Sequence, residues 1–325
     1  MPPSLPTTRR VFRHTDNHTP GSPKVHLATE TVPPLTPTSL LIKVQAISLN
    51  YRDANIANGG NPWPVIPHGI PCNDAAGEII AVGKSVKNFE NLTGREKARS
   101  WLAADEDGVL AEFVVFEEWQ VCRLPGYLNW EEACLLPCAG VTAWSAILGT
   151  GGVALFALKL AHAAGLKVIL SSSCDAKLAR ISSQFTSRPI LAVNYKTNPE
   201  WHEEVLKLTN GQGVDLVIEV GGEATLVQSM KCTRRGGIVS QVGYLSGQDP
   251  MRLEGLLGVL IDGRVVLRGI NAGSKQDMDD LCAALDATQM PLRDIIDSVQ
   301  PFEKAEEAIE YIWQGRQIGK VVLRV

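Results

Sequence analysis

The sequence predicts a two-part α/β fold: a β-rich first domain, then a doubly wound parallel sheet whose first strand is missing or remodelled. Three observations lead there. A chain of 325 residues, 45% apolar and 20% charged, holds enough apolar material for about two cores and is neither disordered nor fibrous. Up to residue 140 the apolar runs are short and separated by Pro and Gly turns. After Thr142, short Val/Ile/Leu runs alternate with helix-length segments, the pattern of parallel strands joined by crossover helices.

In chain order, residues 1–37 are rich in Pro and Thr, carry little periodicity and read as a loosely packed leader. Residues 40–44 form the first clear strand. Pro62, Pro64, Pro67 and Pro71 exclude a persistent helix from the stretch that follows. Residues 78–83 and 109–116 read as strands, and a helix begins near Trp130. In the second part, 153–165 reads as a helix closed by Gly165, and 167–170 as a short buried strand. Asp175 is placed to cap the next helix, its carboxylate accepting from free N–H groups of the first turn. Residues 214–220 and 237–243 read as strands ending at Gly221-Gly222 and Gly243, with a helix over 223–232 between them. A helix over 302–315 and a strand over 320–325 close the chain.

Charge and composition exclude several functions. Lys plus Arg number 31 against 35 Asp plus Glu, a formal charge of −4, and no dense basic run exists to displace counterions from phosphates. A nucleic-acid partner is not expected. The longest apolar segment, 153–165, is broken by Lys159 and His162 and falls short of the ~20 residues that cross a bilayer. The opening MPPSLPTTRR lacks the apolar core of a signal peptide. Seven cysteines, at 72, 122, 134, 138, 174, 232 and 282, are odd in number and irregular in spacing, unlike a disulfide framework. A reducing, cytoplasmic location without membrane attachment is the expectation.

The strongest signal for chemistry is Gly149-Thr150-Gly151-Gly152-Val153-Ala154, which fits G-x-G-x-x-[G/A]. The first Gly allows a tight turn, the second lets backbone approach a pyrophosphate, and the small third residue lets the next helix pack closely. A helix opening at Gly152 and Val153 would present free N–H groups and a partial positive charge. A Gly-rich loop without a ligand is the other reading. Gly221-Gly222 and Gly243 lie at strand ends, where an open α/β sheet binds ligands, and favour a dinucleotide. After residue 170 the chain reads Ser171-Ser172-Ser173-Cys174, with no carboxylate before Asp175 to hold a ribose 2′-hydroxyl. Ser172 with Lys177, Tyr195 and Lys196 suits a 2′-phosphate, so NADPH is expected over NADH. The alternative leaves Lys177 as a solvated helix residue.

Several stretches together resemble the medium-chain dehydrogenase/reductase superfamily, in particular its zinc-independent, quinone-oxidoreductase-like members. They are Ser48-Leu49-Asn50-Tyr51-Arg52-Asp53, Asp74-Ala75-Ala76-Gly77-Glu78 and Leu136-Pro137-Cys138-Ala139-Gly140-Val141-Thr142-Ala143-Trp144. The Gly149 loop, Glu219-Val220-Gly221-Gly222, Arg235-Gly236-Gly237 and Ile318-Gly319-Lys320-Val321-Val322 follow in order, so that the resemblance covers most of residues 38–325. It implies a GroES-like domain over 1–140, a Rossmann nucleotide-binding domain over 141–272, and a segment over 273–325 that returns to the first domain. It also implies a cleft where nicotinamide meets a small-molecule substrate, and a homodimer joined by edge strands. Thr142, Gly243, Ile270 and Asn271 match positions that line the cofactor in relatives.

The same resemblance makes Asn50 and Tyr51 the candidate catalytic pair. Asn50 would donate to a developing oxyanion, and Tyr51 would donate a hydrogen bond or relay a proton. The alternative has Tyr51 packed as a core aromatic and Asn50 capping a turn, with Arg52 and Asp53 as a structural pair. By resemblance to the zinc-dependent alcohol dehydrogenases, Asn50 stands at the thiolate position and Asn73 at the imidazole position. Cys138, with Asp74 nearby, alone keeps a metal-binding side chain, so no zinc is expected. The leading expectation is a zinc-independent, NADPH-dependent transfer of hydride to an activated alkene (enone or quinone) or a carbonyl. An alcohol dehydrogenase-like enzyme on an alcohol/aldehyde pair, and a pseudoenzyme scaffold with impaired nucleotide binding, are the alternatives.

Two departures from the family stand out. Only Ser145, Ala146, Ile147 and Leu148 separate Trp144, in a helix-like segment, from Gly149, where relatives place a turn and a buried strand. Within 91–107 relatives have a Gly-Asp-Arg-Val strand, whereas this chain reads Gly94-Arg95-Glu96-Lys97-Ala98-Arg99, charged and helix-prone.

Overall fold

The computed structural model describes residues 5–87, 102–146, 152–185, 189–245 and 249–325. The chain divides into two compact units, Met1–Val141 with Ser274–Val325, and Thr142–Gly273.

The first unit opens with an antiparallel ribbon, β1 (Thr8–His14) against β2 (Val25–Thr31). The loose leader expected for residues 1–37 is therefore corrected, since Val11 and Phe12 are core residues. Three arginines conceal that strand in the sequence. Arg9 is buried and donates to the Phe113 carbonyl, while Arg10 and Arg13 pair with Glu112 and Glu30. β3 (Ser39–Leu49) runs well past the predicted 40–44 and feeds directly into α1 (Tyr51–Ala57). β4 (Ala75–Val82) and β5 (Phe113–Glu117) both pair antiparallel with β3. β5 begins later than the predicted 109, because the Leu110 carbonyl and the Glu112 N–H bond to β1 instead, bridging Ala111 to Val11. α2 (Trp130–Ala133) and a wide helical turn over Leu136–Gly140 follow, and α3 (Val141–Ala146) carries the chain into the second unit.

The second unit alternates helix and strand as predicted: α4 (Gly152–Ala163), β6 (Ile169–Ser172), α5 (Asp175–Ser182), β7 (Leu191–Asn194), α6 (Trp201–Leu208), β8 (Val214–Glu219), α7 (Leu226–Lys231), β9 (Thr233–Gln241), α8 (Leu256–Gly263) and β10 (Val266–Gly269). Its strands pair in parallel, but in separate sheets, β6 with β7 and β8–β9–β10. Among the described residues, β6 and β8 each lack a second strand neighbour. Gly149 and Gly151, and the charged stretch 94–99, lie outside the described residues. Asp175 is the first residue of α5 and Cys174 its cap, correcting the capping expectation. The Asp175 carboxylate instead accepts from the Asn194 amide at 2.7 Å, tying α5 to the end of β7.

The chain then returns to the first unit through α9 (Lys275–Thr288), β11 (Ile296–Pro301), α10 (Ala305–Trp313) and β12 (Lys320–Arg324). β12 pairs in parallel with β11 and antiparallel with β3, giving the order β11-β12-β3-β4 with β5 also on β3. α10 buries Ala305, Ala308, Ile309 and Ile312, a helical stripe, into the core that holds Val11, Phe12 and Phe302. Phe12 and Phe302 meet edge-on with ring centroids 5.1 Å apart. Truncating Phe302 to Ala removes this contact and leaves a cavity. The expected loss is about 3–5 kcal/mol, read by urea unfolding as a lower midpoint at unchanged slope.

Candidate active site

Strand register assembles a polar cluster in the first unit. Leu49 of β3 lies opposite Val321 of β12, and Ile47 opposite Ala75 of β4. Asn50 just beyond β3, Asn73 and Asp74 just before β4, and Lys320 at the head of β12 therefore converge. Lys320 Nζ donates to Asn50 Oδ1 at 2.6 Å and lies 3.5 Å from Asp74 Oδ2. Asn50 Nδ2 donates to Asn73 Oδ1 at 3.1 Å and to Asp74 Oδ2 at 3.0 Å. The other Asp74 oxygen accepts from the Cys138 N–H. The residues at the zinc-ligand positions of relatives thus form one hydrogen-bonded group, with an ammonium inside it.

The electrostatics follow from burial, since the Asp74 and Lys320 side chains are 0% and 3% exposed. Burial pushes the Asp74 carboxyl up to about 6, although Lys320, Asn50 and the Cys138 N–H all favour its anion. Burial likewise pushes the Cys138 thiol up to about 12. Asn50 has committed both amide hydrogens and its oxygen to this group. Lys320 is the member that sequence reasoning missed. A lysine opening a last strand reads as solvated, and nothing local marks it as the partner of a residue 270 positions away.

Tyr51 opens α1 and is 42% exposed, stacked on Trp313 of α10 with centroids 6.2 Å apart and planes at 20°. It is not a core aromatic. Asn50 does occupy the N-cap of α1, and its backbone N–H donates to the Asp53 carboxylate at 2.7 Å. Arg52 donates to the Leu102 carbonyl at 2.9 Å.

In the second unit, predicted cofactor residues gather at the carboxyl ends of the parallel strands. Ser172 closes β6, and its carbonyl accepts from the Tyr195 N–H, just past β7, at 3.2 Å. Lys177 lies on α5, which follows β6. A second group forms at β8, β9 and β10. The Val242 N–H donates to the Glu219 carbonyl at 2.7 Å, and a Cβ on Gly243 would sit 3.2 Å from the Val220 carbonyl. The buried Glu219 carboxylate organises the turn after β8, accepting from the Gly221 and Gly222 N–H groups and the Thr225 and Ser229 hydroxyls. Gly222 has φ +92°, where a side chain would be strained. The Ile270 N–H donates to the Gln241 carbonyl at 2.8 Å, which carries the exposed Asn271 to the same end. Thr142 is buried on α3, and Gly152 and Val153 open α4.

Among the described residues, the grouping of three His, Cys, Asp or Glu side chains close enough to share a metal is Glu200, His202 and Glu203 at the start of α6, not the Asn50 group. No helix among them is long and apolar enough to cross a membrane.

Comparison with known proteins matches residues 36–126 to the alcohol dehydrogenase GroES-like domain and residues 152–287 to the zinc-binding dehydrogenase family. The chain is similar to a zinc-type alcohol dehydrogenase-like protein of Schizosaccharomyces pombe, 36% identical over 323 residues, covering 90% of this chain and 92% of that one. It is also similar to the quinone oxidoreductase of Sus scrofa, 28% identical over 306 residues, with 87% and 88% covered. A solved structure from Sinorhizobium meliloti 1021, assigned as an alcohol dehydrogenase, matches with a TM-score of 0.85 at 30% identity over 99% of this chain and 100% of that one.

The Asn50 group makes a stability prediction. Lys320→Met leaves the Asp74 carboxylate buried without its cation, an expected cost of about 3–5 kcal/mol at neutral pH. The native carboxyl keeps its proton to a higher pH than the unfolded one, so stability falls as pH rises from about 4 to about 6. Acidification should therefore shrink the Lys320→Met deficit, and the Asp74→Asn/Lys320→Met pair should recover much of it, both read by chemical denaturation.

Proposed function

Since the chain belongs to the medium-chain dehydrogenase/reductase superfamily, we propose that it is a zinc-independent, NADPH-dependent oxidoreductase passing hydride to an activated alkene (an enone or quinone) or to a carbonyl of a small molecule. The observation that carries this reading is the closed Asn50 group. Zinc requires three ligands of thiolate, imidazole or carboxylate type and an open position. Here the corresponding positions hold two amides and a thiol that burial keeps protonated, and the Asn50 oxygen is taken by Lys320. That donor set does not fit zinc.

Charge developing on a substrate oxygen must then be met by hydrogen-bond donors. The hydroxyl of the exposed residue Tyr51 is the proposed donor and proton relay. Asn50 shares the site by fixing the start of α1, and so Tyr51. A direct bond from Asn50 to an oxyanion requires it to release Asn73 or Asp74. For the cofactor, Ser172, Lys177 and Tyr195 are the proposed 2′-phosphate contacts, and Gly149, Gly151, Gly152, Val153, Thr142, Gly221, Gly243 and Asn271 the remaining ones. NADPH is favoured over NADH because Asp175, the sole carboxylate in 171–177, is held by Asn194. When bound, NADPH supplies the hydride.

A specific observation favours a second reading. Among the described residues the parallel strands of the second unit fall in separate sheets, which supports a scaffold with impaired nucleotide binding. A fluorescence titration decides between them. The expected outcome is saturable binding with NADPH preferred over NADH, and NADPH consumption with an enone or quinone at a rate unchanged by a zinc chelator. Folded protein that binds neither nucleotide would overturn the catalytic reading, and chelator-sensitive turnover of a simple alcohol would favour the alcohol dehydrogenase one.

We place the protein in the cytoplasm on its irregular cysteine pattern, and infer a homodimer. β10 ends its sheet among the described residues, and Leu257 and Ile261 of the neighbouring α8 are each 69% exposed. A Leu257→Glu/Ile261→Glu variant should sediment as a monomer where the parent sediments as a dimer.

A further inference from the structure

We propose that Glu200, His202 and Glu203, at the start of α6, bind one divalent transition-metal ion of the zinc type. One ligand atom from each of these side chains lies within 4.8 Å of the other two. Glu200 is the cap residue of α6, and His202 and Glu203 belong to its first turn. The two exposed carboxylates alone need no metal, because the free N–H groups at a helix start favour negative charge. The imidazole is what that account leaves unexplained.

The His202 side chain is 9% exposed, and its Nδ1 is buried without a hydrogen-bond partner among the described residues. A buried ring nitrogen left in that state costs free energy. Nδ1 faces Glu200 Oε2 at 3.6 Å, too far for a hydrogen bond. Two ligands of one tetrahedral ion, each ~2.0–2.2 Å from it, stand about 3.4 Å apart. The pair therefore has the spacing of two ligands, and Glu203 supplies the third from the same turn.

The surroundings hold the imidazole in place. Trp201 and Val205 anchor α6 in a core of the second unit, and Trp201 Nε1 donates to Gln228 Oε1 on α7 at 2.7 Å. Gln228 Nε2 in turn donates to the Pro199 carbonyl at 2.6 Å, fixing the turn that leads into Glu200. Glu204 is taken by the Asn198 amide at 2.8 Å and stays outside the group. The nitrogen ligand is thus preorganised, while the two exposed carboxylates can close on the ion. One imidazole and two carboxylates balance a divalent charge and leave a position for water. The imidazole selects zinc, nickel or copper over magnesium and calcium, which take oxygen ligands. The site lies in the second unit and shares no residue with the Asn50 group, so it is independent of the catalytic reading.

The test strips the full chain with a chelator and titrates it with cobalt(II), whose absorption separates nitrogen and oxygen ligands from thiolates. The expected result is uptake of one cobalt per chain without a thiolate charge-transfer band, reversed by zinc and not by excess magnesium. His202→Gln should abolish that uptake. The Glu200→Gln/Glu203→Gln pair should weaken it by at least about tenfold, the loss that even an outer-shell partner costs. No uptake, a thiolate spectrum, displacement by magnesium, or binding unchanged in the variants would overturn the proposal. The exposed carboxylate pair decides alone if His202→Gln fails to fold.

Discussion

A lysine that is 3% exposed needs neighbouring groups to replace the water it has lost, and at residue 320 those neighbours organise the first unit. Its partners come from separate stretches of chain, the end of β3 and the approach to β4, while Cys138 enters through the carboxylate that Lys320 faces. None of these groups can move far without leaving a buried charge unanswered. The antiparallel register of β3 with β4 and β12 delivers them together, and a slip of one residue in β12 would turn Lys320 to the opposite face. Tyr51 inherits its position from the same constraint, because Asn50 both caps its helix and completes the charged group.

The second unit is organised differently, by backbone groups at the carboxyl ends of parallel strands. There a buried carboxylate, Glu219, does for the turn after β8 what Lys320 does for the first unit. It gathers the Gly221 and Gly222 N–H groups and two hydroxyls into one fixed bend. Glycine is favoured where the chain turns with φ +92°, and at Gly243 a side chain would crowd the Val220 carbonyl. Among the described residues the parallel strands fall in two sheets, β6–β7 and β8–β9–β10. Strand edges need partners for their N–H and C=O groups when buried.

Much of this architecture can be read along the chain. Gly165, with φ +77°, ends a helix as its sequence context predicts, and the apolar run before Gly221 is a strand because its length and flanking glycines leave little else. Ser172 and Tyr195 come together because consecutive parallel strands place their carboxyl ends side by side. At β1 and at Asp175 the reading failed because of charge. β1 carries three arginines and looks like solvated chain, yet Val11 and Phe12 are in the core because Glu30 and Glu112 answer that charge from other segments. Asp175 has the residue type of a helix cap, but Asn194 on the next strand draws its carboxylate away.

Residue order alone settles the α/β class, the succession of the two halves and the glycine-bounded strand ends, because periodicity and turn chemistry act over a few neighbouring residues. It also carries the two amides, Asn50 and Asn73, that the resemblance sets at zinc-ligand positions. What those amides do is a matter of packing. That Asn50 spends both hydrogens inward, that Lys320 fills the space beside it, and that Tyr51 is left exposed on Trp313 depend on contacts between residues far apart in the chain. Sheet register and burial create those contacts, and no local pattern encodes them.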